Sequence, residues 1–155
     1  MHDTLKLIVA SLFLSIGLVL VSAQQHGARA AGEGSATGLW LTEKGDARIR
    51  VSQCGRALCG KVVWLKDPID PATGKPQTDD KNPNPSLATR PMIGVQLFIG
   101  MVPSGPGTWV GRIYNGDDGK VYDSKVALQG PSKLRVEGCV GVICGGEDWT
   151  RIGAQ

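Results

Sequence analysis

Beyond residue 37 the chain alternates apolar and polar positions with a period of two, interrupted every eight to twelve residues by glycine, proline, asparagine or aspartate. Eight such runs stand out: 38–42, 46–54, 58–65, 91–102, 108–115, 120–129, 133–139 and 144–152. No window keeps a helical period between caps. The punctuation, such as Glu43-Lys44-Gly45 and Asn115-Gly116-Asp117-Asp118-Gly119, suits hairpin turns. Successive strand side chains point to opposite faces. In the second run Ala47, Ile49 and Val51 share one face, and Arg48, Arg50, Ser52 and Cys54 the other. The third sets Gly60, Val62 and Trp64 against Cys59 and Lys61. The fourth offers Ile93, Val95, Leu97, Ile99 and Met101, and the sixth offers Tyr122, Ser124, Val126 and Leu128 against Asp123 and Lys125.

With no helix to cover it, one apolar sheet face is buried most simply by closing the sheet on itself, which also removes its edges. The pattern therefore predicts an all-β fold, a small antiparallel up-and-down barrel of about eight strands, with a two-sheet sandwich as the competing architecture. Residues 66–90 break the rhythm with five prolines and no alternation, which predicts one long loop between the third and fourth strands. A connection of that length exceeds a hairpin and suits a lid or a binding loop.

The first residues follow different rules. Lys6 precedes an uncharged apolar run from Leu7 to Val21, followed by the small-residue cleavage sites Val21-Ser22-Ala23 and Ala28-Arg29-Ala30. The run is shorter than the ~20 residues of a membrane-spanning helix. Residues 1–30 are expected to form a signal peptide, with an alternative cut after residue 23, residues 31–37 a flexible leader, and residues 38–153 a single barrel domain. The product would be periplasmic or secreted, with no stable membrane anchor after cleavage.

Composition then works by exclusion. Seventeen basic against fourteen acidic residues give a net charge of +3 with no clustered basic patch, so no nucleic-acid partner is expected. His2 and His26 are the two histidines, and both precede the later cut. Histidine general bases, Ser-His-Asp and Cys-His pairs and histidine zinc sites are thereby removed from the domain. No catalytic residue, metal or cofactor is expected.

The four cysteines form two identically spaced pairs, Cys54…Cys59 and Cys139…Cys144. Each sits at an expected hairpin, and in an exported protein the pattern reads as two local disulfides. Facing Cys54 with Cys59 would put Ser52 against Lys61, Val51 against Val62 and Ile49 against Trp64. Facing Cys139 with Cys144 would put Arg135 against Asp148, an opposite-charge pair, and Leu134 against Trp149.

Several stretches together resemble a known family of exported bacterial proteins, domain of unknown function 2147. They are Gly38-Leu39-Trp40, Leu58 to Leu65 with Asp67-Pro68, Asp79-Asp80-Lys81-Asn82-Pro83-Asn84-Pro85, Arg90-Pro91 and Gly94, Gly111 to Tyr114, Gly119 to Tyr122, and Trp149-Thr150-Arg151. The chain departs from the family at Asn84-Pro85, where Asp-Pro is common. The resemblance implies a lipocalin-like barrel and export, and no established activity. Gly38-Leu39-Trp40 with Arg151 also looks like the lipocalin arrangement in which a cation on the last strand stacks on a first-strand tryptophan and closes the barrel end.

Two constellations are candidates for function. One is the loop motif Asp79, Asn82, Pro83, Arg90 and Pro91, read first as a set of local bonds that fix loop backbone, second as a lid over the barrel mouth, and third as an oxygen-ligand calcium site whose spacing is not that of an EF-hand loop. The other is the barrel interior, where parity points Tyr122, Ser124, Glu147 and Trp64 inward among apolar side chains, as in a small-ligand site. A filled core is the alternative there, and a bulge at Gly145-Gly146 would turn Glu147 outward. Asp117-Asp118-Gly119 reads as a turn. The sequence thus favours a non-enzymatic module holding a small apolar or amphipathic ligand. An envelope protein acting through loop 66–90 is the second reading, with its protein partner unspecified, and an enzyme of unknown type the third.

Overall fold

The computed structural model describes residues 35–154, so the expected signal peptide and residues 31–34 of the leader lie outside the described residues. Eight antiparallel strands close into a barrel in chain order: β1 (Gly38–Leu41), β2 (Ala47–Cys54), β3 (Ala57–Leu65), β4 (Phe98–Gly105), β5 (Thr108–Asn115), β6 (Lys120–Leu128), β7 (Lys133–Val140) and β8 (Ile143–Gly153), with β1 pairing β8. The sandwich alternative is excluded by that closure. One short helix, α1 (Pro85–Ala88), interrupts the β3–β4 connection. Asn84 caps it by accepting a bond from the Ser86 amide at 3.0 Å.

The two ends of the barrel differ. At one end lie the start of β1 and the β2–β3, β4–β5 and β6–β7 turns. Its interior is filled by Trp40, Leu58, Met101, Trp109, Val126 and Leu134, all buried. At the other end lie the β1–β2, β5–β6 and β7–β8 turns and the long loop. Between the halves Phe98 and Trp149 stack with ring centroids 5.7 Å apart. Gly60 on β3 makes room for this layer, since a Cβ there would stand 2.9 Å from the Phe98 ring.

Ser35–Thr37, expected to belong to a flexible leader, are instead built into the filled end. Ala36 is fully buried, and its carbonyl accepts a bond from Trp40 Nε1 at 2.8 Å. The Arg151 guanidinium donates to the carbonyls of Ser35 and Thr37 at 2.7 and 2.5 Å, and lies 4.2 Å from the Trp40 ring centroid. Gly38, at φ +143°, lets this happen, because a Cβ there would meet Arg151 Nη1 at 2.5 Å.

Three expectations about strand faces are corrected. In β2–β3 the register lies two residues from the expected one: Cys59 opposes Ser52, Cys54 opposes Ala57, Val51 opposes Gly60 and Ile49 opposes Val62. The chain turns on two residues, Gly55-Arg56, a shorter and better-matched hairpin loop than the four-residue one expected. The disulfide Cys54–Cys59 therefore joins diagonal positions, with Cα atoms 5.7 Å apart. In β7–β8 the two-residue turn Gly141-Val142 leaves Cys139 facing Cys144, joined by the second disulfide, with Arg135 opposite Asp148 and Leu134 opposite Trp149.

The second correction concerns Trp64. A register shift between Arg48 and Ile49 turns it outward, opposite Arg48, whose guanidinium carbon lies 4.3 Å from the indole centroid. Leu65 takes the inward place instead. Thirdly, the run 91–102 does not form one strand. Residues 94–97 cling to β3 through Val62 N to Val95 O at 3.0 Å and Leu97 N to Gly60 O at 2.8 Å, and β4 begins at Phe98. A bulge between Ile99 and Val102 breaks the alternation, so Phe98 and Met101 face inward while Ile93 is 45% exposed.

Candidate functional site

The open half of the barrel encloses a cavity of about 1240 Å³. Its inner walls are Ile49, Val62, Leu97, Ile113, Val136 and Trp149, side chains that strand alternation turns inward, with Leu65 and Met92 nearer the rim. Around its mouth stand mostly polar residues from three connections, Thr42 to Lys44 and Asp46 from β1–β2, Asp67, Gln77, Thr78, Asp80 and Lys81 from the long loop, and Asn115 to Asp117 from β5–β6, with the apolar Val140 and Ile143 from β7–β8 as the fourth side. The interior is thus packed at one end and open at the other, so each sequence alternative describes one half.

Glu147 lies in the cavity wall. The β7–β8 pairing runs without a bulge through Gly138–Gly145, Glu137–Gly146 and Val136–Glu147, which keeps Glu147 beside the inward Val136. Its carboxylate accepts a bond from Trp149 Nε1 at 2.5 Å. Tyr122 also lines the cavity, and its hydroxyl donates to Asp118 in the turn below it. That bond raises the Tyr122 pKa and lowers that of Asp118. Asp118, taken from sequence as part of a turn, therefore holds a wall residue. Ser124 is buried on the inward face of β6, and its hydroxyl has no partner among the described groups. Trp64 is absent from the cavity for the reason given above.

The loop motif splits into an inner and an outer part. Asp79 is fully buried and accepts bonds from Arg90 Nε at 2.9 Å, Arg90 Nη2 at 2.7 Å, Asn82 Nδ2 at 2.8 Å and the Tyr114 hydroxyl. Burial first, and then the bond to Asp79, push the Tyr114 pKa up to about 12. Backbone bonds complete the anchorage: Asp79 N to Arg90 O at 3.0 Å and Met92 N to Gln77 O at 2.9 Å. Pro91 pairs with Thr78 in an isolated bridge, whereas Pro83 is exposed on the outer side near Gly119 to Asp123. Gly119, at φ +71°, is a second contact, since a Cβ there would collide with the Lys81 carbonyl oxygen. The carboxylate thus ties the loop to the end of β5 and holds Thr78, Asp80 and Lys81 at the cavity mouth.

Sequence reasoning singled out Asp79 and Arg90 but missed Tyr114, Met92, Leu97 and Gly119. Tyr114 closes one of the stretches that carry the family resemblance, but it shares its parity with the exposed Val110 and Arg112, so alternation gave no sign that the loop buries it. Among the described residues no three His, Cys, Asp or Glu side chains cluster as metal ligands.

Comparison with known proteins places this geometry. No curated protein matches the sequence. Among solved structures, the barrel is similar to HP1028 from Helicobacter pylori, described as belonging to the lipocalin family, at 21% identity and a TM-score of 0.65, over 76% of this chain and 83% of that one. At that identity the likeness shows a shared lipocalin-like fold. The family model described as "Uncharacterized protein conserved in bacteria (DUF2147)" matches residues 38–151, nearly the whole barrel from Gly38 to the stacked Arg151, and the chain belongs to that family.

Proposed function

We propose that this protein is an exported, non-enzymatic binding module that holds a small apolar or amphipathic ligand in the open half of its barrel. The observation that carries the reading is the cavity itself: about 1240 Å³ with apolar inner walls and a mostly polar mouth, somewhat larger than the ~300 to 1,000 Å³ of most small-ligand pockets and so ample for one. The two disulfides are compatible with an oxidising compartment outside the cytoplasm. Loop 66–90 acts in this reading as part of the container, its buried Asp79 fixing the wall and its Gln77, Thr78 and Lys81 forming the rim.

Gly145 supplies a clean test. It lines the cavity on the same face as Glu147 and Trp149, and a Cβ added there meets nothing within 4 Å. Gly145→Leu should fill the space without a clash and leave melting within about 1 kcal/mol of the parent. Protein purified from its native host should release a small molecule on organic extraction, and Gly145→Leu should release much less. Equal yields from both forms, or none from the parent, would sink the reading.

A further inference from the structure

The charge around the cavity is opposite to that of the chain. Six carboxylates line it, those of Glu43, Asp46, Asp67, Asp80, Asp117 and Glu147, against the two cations Lys44 and Lys81. Lys81 is already bonded to Asp80 at 3.0 Å. A protein with a net charge of +3 thus presents a negative mouth over an apolar interior. A concave site lined with one sign of charge focuses the field and concentrates ligands of the other sign.

Glu147 makes the bias local. It is half-buried in the wall, and its described partner is the neutral indole N–H of Trp149 at 2.5 Å. No described lysine or arginine forms an ion pair with it. By contrast Glu137 on the outer face is matched by Arg135 at 3.4 Å, and Asp148 by Lys133 at 3.2 Å. Next to the wall residue Gly138 across the strand pair, Ser124 Oγ is buried without a partner among the described groups and keeps lone pairs free for a donor.

Resting on the binding-module reading above, we infer that the cavity selects cationic amphiphiles, molecules with an ammonium head on an apolar body, with Glu147 as counter-ion inside the wall and the rim carboxylates attracting the head. The apolar body lies against Ile49, Val62, Val136 and Trp149. An anionic head of the same size would meet six like charges, so fatty carboxylates are disfavoured by the same geometry.

Three probes with one tail and different heads test this: decylammonium, decanol and decanoate, each below its aggregation concentration, with Trp149 in the wall giving a fluorescence signal. Decylammonium should bind about tenfold more tightly than decanoate, with decanol between them. Glu147→Gln keeps an oxygen for the Trp149 indole and should weaken decylammonium about threefold, narrowing its lead over decanol. On the parent protein, raising the salt concentration should weaken decylammonium and spare decanol, a readout that does not depend on the variant folding. Equal binding of all three probes would overturn the charge selection and leave the container standing. Binding of none would overturn both.

Discussion

Asp79→Asn is the sharpest perturbation the structure offers. It replaces a carboxylate of zero exposure by an isostere, leaving the Arg90 guanidinium, whose side chain is 36% exposed, without its charge partner. Breaking a fully buried ion pair costs ~3 to 5 kcal/mol. Water reaches Arg90 here, and the amide keeps one acceptor oxygen for it or for Tyr114, so the expected loss is about 2 to 3 kcal/mol. For a domain of this size that corresponds to roughly 8 to 12 °C in melting temperature. The loss also has a local expression, because Asp79 joins the loop to β5 while the barrel ladders do not depend on it. Amide hydrogen exchange at Asp79, which bonds Arg90 O, and at Met92, which bonds Gln77 O, should accelerate by about 30- to 150-fold if opening is confined to the loop. Asp80→Asn, one residue on and 63% exposed, is the control and should change stability by less than about 0.5 kcal/mol. Melting within 2 °C of the parent, together with unchanged exchange at both amides, would refute the view that this carboxylate fastens the loop.

Other consequences follow from single contacts. The Tyr114 hydroxyl has a folded pKa raised to about 12 from 10, so its contribution is complete below pH 10 and is lost as pH rises through 10 to 12. It amounts to roughly 2 kcal/mol, and Tyr114→Phe should abolish this part of the alkaline unfolding profile. Trp40→Ala removes a fully buried indole together with the platform for Arg151, and should cost at least ~3 kcal/mol in chemical denaturation; an unchanged midpoint would dismiss closure of the filled end by this pair. Cys139→Ser with Cys144→Ser opens a short loop and should lower stability by about 2 kcal/mol, the low end for a disulfide, as read by thermal melting.

How much of this was legible depended on how far each feature reached along the chain. Strand order and barrel closure needed the period-two pattern and the lack of a covering helix, both local properties summed over the chain. Faces failed where one extra residue entered a strand. The shift opposite Arg48 turned Trp64 outward, and the bulge after Ile99 put Phe98 and Met101 on one face. A bulge depends on what packs beneath it, here the Phe98 ring against Gly60 and Trp149, and no pattern within the strand itself reports that. The cysteines make the same point, since identical spacing produced facing positions in one hairpin and diagonal ones in the other, decided by where the two-residue turn fell. Asp79 stood out as one of several aspartates in a loop. Its burial could not be read from residues 66–90 alone, because Tyr114, which shares the carboxylate with Arg90, comes from β5.

The cavity has a chemical origin that the glycine content of the chain explains. In the filled half the large side chains of Trp40, Trp109, Met101 and Leu134 meet across the axis. In the open half the facing pair Gly138 and Gly145 lies in the wall with no side chain to project. Tyr122, which could swing across the gap, is instead bonded to Asp118 at the turn. The space therefore results from two absent side chains and one aromatic side chain tied to a carboxylate. Packing pressure alone would favour residues that fill such a gap, because a void forfeits dispersion contacts on every wall. A barrel that keeps glycines opposite one another, and holds Tyr122 back with a charged partner, retains an opening that its own apolar side chains could have closed. That arrangement supports the container reading over a plain structural core, and it makes Gly145, rather than any of the loop prolines, the position at which that reading is most directly tested.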